Sequence, residues 1–223
     1  MIKVFAVHTA LAMIEPVSKL FREYLPDVKL NHIADDSLIQ EVIEFNKVTP
    51  AVAKRLINCY HMAEDAGADI IFNTCSSVGD IAQSARTMVK IPILKIDDPM
   101  AMEAVKMARK IAVLATLPTT LAPTVRLLKS MANEQNREID VIEGLAGGAF
   151  AAMMSGDRET HDKLIIKASE NVASKAELIV LAQGSMGRMQ EKLEEITGIP
   201  VLSSPLSGVL GVKNYIDKNQ IRL

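Results

Sequence analysis

Short runs of apolar residues alternate along this chain with longer stretches in which apolar positions recur every three or four residues. The runs predict strands over 2–8, 28–33, 69–73, 91–95, 111–116, 138–142, 177–182 and 199–202. The periodic stretches predict helices over 12–24, 50–66, 77–89, 98–109, 120–133, 157–174, 186–197 and 205–217. Most of the strand runs are dense in Ile, Val, Leu and Ala and do not alternate with polar residues, as strands covered on both faces must be. Strands and helices in this order specify βαβ units, hence an α/β fold with mainly parallel sheets.

The pattern also repeats. Ala68–Gly79 matches Ala176–Gly187 position by position, at a separation of 108 residues. Ile91-Pro92-Ile93-Leu94 matches Ile199-Pro200-Val201-Leu202, so Cys75 to Pro92 and Gln183 to Pro200 are both 17 residues. The same register, extended upstream, sets Val4–His8 against Ala112–Thr116 and Leu56-Ile57 against Leu164-Ile165. Duplication predicts two pseudo-symmetric lobes, each a parallel sheet flanked by helices, with the active site between them. A single doubly wound sheet of similar βα units is the alternative.

In open parallel sheets ligands bind beyond the carboxyl ends of strands, which singles out the loops after His8, Asn73, Thr116 and Ala182. One of them carries a thiol, Cys75, where its counterpart carries an amide, Gln183. Ser77 and Asp80 are spaced as a capping box, so Cys75 is expected just before a helix N-terminus, where partial positive charge favours the thiolate. A small, inert buried cysteine is the competing reading. His8 ends the first strand and has an unperturbed pKa suited to proton transfer; hydrogen bonding at a strand end is its other reading. Gln183 either hydrogen-bonds a substrate oxygen or fills a loop, but an amide is no acid or base near neutral pH. Gly144–Ala149, with three glycines, reads as a flexible connection or a flap.

Composition closes off several classes. The formal charge of −2 argues against nucleic acid, and 4% aromatic residues without Trp leave no platform for stacking bases. Cys59 and Cys75 form neither a C-x-x-C pair nor a disulfide framework, which fits a cytoplasmic protein. Met1–Val7 reads as a strand and no apolar run has membrane-span length, so no membrane partner is expected. Val7-His-Thr-Ala10 stands where a dinucleotide fingerprint would follow the first strand, and no zinc or phosphate-loop motif occurs. Asp35-Asp36 and Asp97-Asp98 read as helix starts in preference to metal ligands. Neither metal nor cofactor is expected.

Phe72-Asn-Thr-Cys-Ser-Ser77 and Val180-Leu-Ala-Gln-Gly-Ser-Met186, on a duplicated α/β frame, resemble the aspartate/glutamate/hydantoin racemase superfamily, and Val113–Thr120 is similar to the family's threonine-bearing loop. The resemblance covers nearly the whole chain. It implies cofactor-independent proton transfer at the α-carbon of a small carboxylate, an isomerase activity, with Cys75 as the first of two opposed thiols. Gln183 occupies the second thiol's place, which leaves His8 as a possible partner. Two alternatives are a single-thiol decarboxylase or lyase acting on a small diacid, and a non-catalytic acid-binding protein. Thr9, Asn73, Thr74, Ser76, Ser77, Thr116, Thr119, Thr120, Gln183, Gly184 and Ser185 are the substrate-binding candidates. The resemblance further implies a homo-oligomer, a first lobe of 1–98 plus 205–223 and a second of 99–204.

Overall fold

Eight strands pair in two sheets, all parallel, in the computed structural model, which describes residues 1–219. The chain divides into two units, Met1–Asp98 with Pro205–Leu223, and Pro99–Ser204. In the first, β1 (Lys3–His8), β2 (Lys29–Ala34), β3 (Ile70–Asn73) and β4 (Ile93–Lys95) lie in the order β2-β1-β3-β4. In the second, β5 (Lys110–Ala115), β6 (Asp140–Leu145), β7 (Leu178–Leu181) and β8 (Val201–Ser203) lie in the order β6-β5-β7-β8.

The apolar strands are explained by cover on both sides. In the first unit Val7 and Ile71 pack with Leu56, Tyr60 and Val78 on one face, while Val4, Ala6 and Phe72 pack with Val17, Phe21 and Val212 on the other. In the second, Ile111, Val113 and Val180 join Leu121 and Leu128, whereas Leu114, Ile179 and Leu181 join Ile165 and Leu193. Residues of the inner strands β1, β3, β5 and β7 therefore meet cover on both faces, whereas the edge strands β2 and β6 leave several residues exposed.

The helices are α1 (Ile14–Tyr24), α2 (Ser37–Phe45), α3 (Pro50–Asp65), α4 (Gly79–Ala85), α5 (Asp98–Met107), α6 (Pro118–Glu134), α7 (Ala149–Met154), α8 (Arg158–Ala173), α9 (Gln190–Thr197) and α10 (Ser204–Lys218). None among the described residues is long and apolar enough to cross a membrane. Two helices escaped the periodicity. α2 buries only Leu38 and Val42, one turn apart, and ends on Asn46 at φ 49°. α7 follows Gly148 at φ 84°. Of the glycine stretch, Gly144 lies within β6, where a Cβ would come 3.1 Å from both Leu114 and Val172, and Gly147 and Gly148 form the exposed turn into α7.

Hydrogen bonding corrects the register of the repeat. Val4 pairs with Ile70 and Ile111 with Leu178; likewise Thr74 N donates to Val7 O and Ala182 N to Leu114 O. The third and fourth strands keep the 108-residue offset, but the first strands are related by 107. Thr116 therefore corresponds to Thr9, not to His8, whose counterpart is Ala115. A sequence comparison drawn along one diagonal cannot see a one-residue difference in connection length.

α10 packs on the first unit through Val209, Val212 and Ile216. Gly208 lets it approach the loop after β4 closely: a Cβ there would lie 2.6 Å from the carbonyl oxygen of Ile96 and 2.7 Å from its Cγ1. We expect Gly208→Ala to destabilise the fold by about 1–3 kcal/mol through overpacking, measured as a lower urea midpoint; an unchanged midpoint would show that this contact is not tight.

Candidate active site

Each unit ends its third strand in the same local structure. Cys75 is extended at φ −123°, ψ 115°, and is followed by a 3₁₀ turn, Ser76–Val78, before α4 begins. Gln183 is extended at φ −118°, ψ 130°, and is followed by a longer 3₁₀ turn, Gly184–Met189, before α9. The expected Ser77/Asp80 capping box does not start a helix, because the N-cap of α4 is Val78. Extended backbone turns each key side chain out of the sheet, and the turn that follows points backbone N–H groups back towards it.

In the first unit these N–H groups have a target. The Cys75 sulfur is faced by the backbone N–H groups of Ser77 and Val78 and by the Thr9 side chain, all of which favour the charged sulfur. Thr9 Oγ1 is buried and has no hydrogen-bond partner among the described residues. These donors hold the thiol pKa down, but burial outweighs them and pushes it above the usual thiol value. Burial thus acts against the expected helix-start field and pushes the Cys75 thiol up, while the residue stays partly exposed in a bed of donors.

Asn73, Thr74, Ser76 and Ser77 build that bed. All four are buried. Asn73 Oδ1 accepts from the Tyr60 hydroxyl at 3.0 Å and Asn73 Nδ2 donates to the Cys75 carbonyl at 3.0 Å, so its amide fixes the loop. The Thr74 hydroxyl donates to Val7 O at 3.1 Å and lies 2.9 Å from His8 Nδ1. The Ser76 side chain acts to hold the Asp97 carboxyl down, against its burial. His8 itself is fully buried and both its ring nitrogens are engaged, Nε2 lying 2.9 Å from His32 Nδ1. It meets the loop through Thr74 and presents no free nitrogen to a reacting carbon.

Asp97 directly precedes α5, as the helix-start reading expects, but it is buried there, with Oδ1 lacking a hydrogen-bond partner among the described residues; this burial is what sequence reasoning missed. Burial, with Asp98 adding to it, raises its pKa against the opposing pull of Lys95. Lys95 is buried as well, its Nζ 2.9 Å from Asp98 Oδ1 and 3.8 Å from Asp97 Oδ1. A lysine ending a buried strand two residues before an aspartate was the available signal.

In the second unit Gln183 closes on Thr116. Its Oε1 accepts from Thr116 N at 2.7 Å and Oγ1 at 2.9 Å, and its Nε2 donates to the same hydroxyl at 2.8 Å. Thr9–Cys75 and Thr116–Gln183 are thus equivalent pairs. Thr119 and Thr120 sit in the first turn of α6, Thr120 buried and Thr119 partly exposed. Gly184 is partly exposed and Ser185 exposed. Arg188 is bound to Asp162, with Nη1 to Oδ2 at 2.9 Å, and this holds the Asp162 carboxyl down at about 2. No cluster of three or more His, Cys, Asp or Glu able to hold a metal occurs among the described residues.

The profile of the Asp/Glu/Hydantoin racemase family matches residues 2–210. No curated protein matches the sequence. Among solved structures, a glutamate racemase isoform from Bacillus anthracis superposes with a TM-score of 0.77 at 12% identity, covering 99% of this chain and 83% of its own. An aspartate racemase from Picrophilus torridus gives 0.74 at 16% identity, covering 100% and 96%. An allantoin racemase from Klebsiella pneumoniae gives 0.69 at 16%, covering 98% and 89%.

The carboxylate of Asp97 also raises the Cys75 pKa through its charge. Asp97→Asn removes that charge, so the midpoint of Cys75 alkylation by iodoacetamide should move to lower pH. A midpoint that stays put or rises would exclude electrostatic coupling between the two.

Proposed function

Because the chain belongs to the Asp/Glu/hydantoin racemase family, we propose that it is a cofactor-independent enzyme, isomerase in class, that moves a proton at the α-carbon of a small carboxylic acid through Cys75. The observation that supports this most directly is the partly exposed thiol just past the end of β3, faced by the Thr9 side chain and two backbone N–H groups. A sulfur so placed can give up or take a proton while its neighbours compensate the change in charge. Thr9 and the N–H groups of the turn are suited to bind the acid group; Asn73, Thr74 and Ser76 act one layer back, holding the loop's shape. In the second unit, Gln183 and Ser185 offer donors to a substrate oxygen, and Thr116 fixes the amide's orientation.

A second reading, decarboxylation or a related lyase reaction with protonation from one side, is favoured by two details. The thiol is protonated at rest, hence poised as an acid, and the equivalent position holds an amide that transfers no proton. The two readings differ in sign with pH. A resting acid loses activity as pH rises through the thiol's raised pKa; a thiolate base gains activity over the same range.

The test is exchange of solvent deuterium into a panel of amino acids, hydantoins and small diacids, followed by NMR. Wild type should label one substrate at its α-carbon, and Cys75→Ser should lower that rate by about 10²–10⁴. Labelling that survives in Cys75→Ser removes the thiol from the chemistry. Loss of optical activity in the labelled acid supports racemisation, whereas one deuteron in a decarboxylated product supports the lyase reading.

A further inference from the structure

Behind the thiol loop four side chains form an unbroken line. Thr74 Oγ1 lies 2.9 Å from His8 Nδ1, His8 Nε2 lies 2.9 Å from His32 Nδ1, and His32 Nε2 lies 3.1 Å from Ser18 Oγ. The line begins in the core, where His8 is fully buried, and ends at the surface, where His32 is exposed on the edge strand β2. His32 and Ser18 also border a cavity of about 340 Å³, lined further by Phe21, Arg22, Leu25 and Leu30. The second unit has no such line: Ala115, Ala182 and Glu143 occupy the positions that correspond in the sheet to His8, Thr74 and His32. The line accompanies the thiol and is missing where the amide stands.

Counting hydrogens shows what it can do. Thr74 Oγ1 is placed to donate to Val7 O at 3.1 Å, and Ser18 Oγ to Ile14 O at 2.8 Å. If both hydroxyls donate to those carbonyls, both must accept from a histidine. The four ring nitrogens then carry three hydrogens, and the pair holds one positive charge. A neutral pair carries only two, so one hydroxyl must leave its carbonyl and donate to a ring. Two neutral arrangements follow. In one, donation runs inward from Ser18 through His32 and His8 to Thr74, which keeps Val7 O. In the other it runs outward, and Thr74 gives its hydrogen to His8.

We propose that His8 and His32 are positioning residues for the Cys75 loop, a relay whose proton occupancy, set from the exposed His32, decides which way the Thr74 hydroxyl points. This rests on the assignment of Cys75 as the reacting group. Burial, with the His32 charge adding to it, lowers the His8 pKa to about 4, and burial also lowers that of His32, so the neutral arrangements prevail near neutral pH. The charged groups facing the pair are few. Glu15 and Arg22 on α1 pair with each other at 2.7 Å; Asp35, just after β2, pairs with Arg55 at 3.6 Å; Cys75 follows Thr74 in the chain and feels the charge of Asp97. Glu15 alone acts to raise the His32 pKa, against its burial.

The experiment needs no substrate. Imidazole nitrogens are followed by ¹H–¹⁵N NMR, and alkylation of Cys75 by iodoacetamide is resolved from that of Cys59 by mass spectrometry, for wild type, His32→Leu and His32→Gln. In wild type the two rings should titrate together as one shared proton. His32→Leu strands His8 Nε2 and loosens the loop, so Cys75 should be alkylated faster by about tenfold, the scale of one lost hydrogen bond. His32→Gln, which keeps a donor and an acceptor, should recover most of the wild-type rate. Independent titration of the two rings, or unchanged Cys75 reactivity in folded His32→Leu, overturns the relay. Should the leucine variant not fold, the His8 tautomer and Cys75 rate in His32→Gln decide in its place: wild-type values support the relay, and a rate as fast as that of Thr74→Val contradicts it. Solvent-deuterium exchange run in parallel keeps the two ideas apart, since a coupled histidine pair without turnover sinks the enzymatic assignment alone.

Discussion

One juxtaposition recurs at the site of each unit: a threonine just past the end of the first strand, set beside the side chain just past the end of the third. Thr9 faces the Cys75 sulfur, and Thr116 hydrogen-bonds the Gln183 amide. Adjacent parallel strands carry these residues to the same sheet edge, so the pairing follows from register. The extended backbone at 75 and 183, followed by a 3₁₀ turn, then directs each side chain outward. The fold supplies this arrangement twice, and the sequence uses it for different purposes.

What surrounds the two contacts differs more than the contacts do. Around Cys75 the chain buries His8, Asn73, Thr74, Lys95 and Asp97. The matching positions Ala115, Leu181 and Ala182 in the second unit are apolar. Buried polar groups carry a desolvation cost unless they are partnered, and a network of them is retained where it holds a specific geometry. Here that geometry is the loop carrying the thiol. The Asn73 bonds to the Cys75 carbonyl and the Tyr60 hydroxyl fix the backbone that carries the sulfur. The burial that permits this network also keeps the thiol protonated.

The inner strands were legible because two-sided cover makes them dense apolar runs, and the repeat was legible because Cys75-to-Pro92 and Gln183-to-Pro200 keep one spacing. Other features left weaker traces. α2 buries two side chains and so shows little periodicity. The one-residue slip between β1 and β5 displaced Thr9 from its true counterpart, which hid the equivalence of the two threonine contacts. Of the polar candidates, Asn73 and Thr74 are buried and bonded within the frame of the loop. Composition cannot separate a side chain that touches a ligand from one that holds the loop, because both are polar and both lie at a strand end. Asp97 stands before a helix, as its sequence position suggests, and only packing shows that it is enclosed.

The central claim is that burial, not the helix-start field, sets the protonation state of the single thiol at the end of β3. Its most direct test is the thiolate absorbance near 240 nm, titrated for wild type with Cys75→Ser as the reference. The account predicts a difference signal that is absent at neutral pH and emerges only above the ordinary thiol range of about 8.5. A full thiolate signal at neutral pH would contradict it.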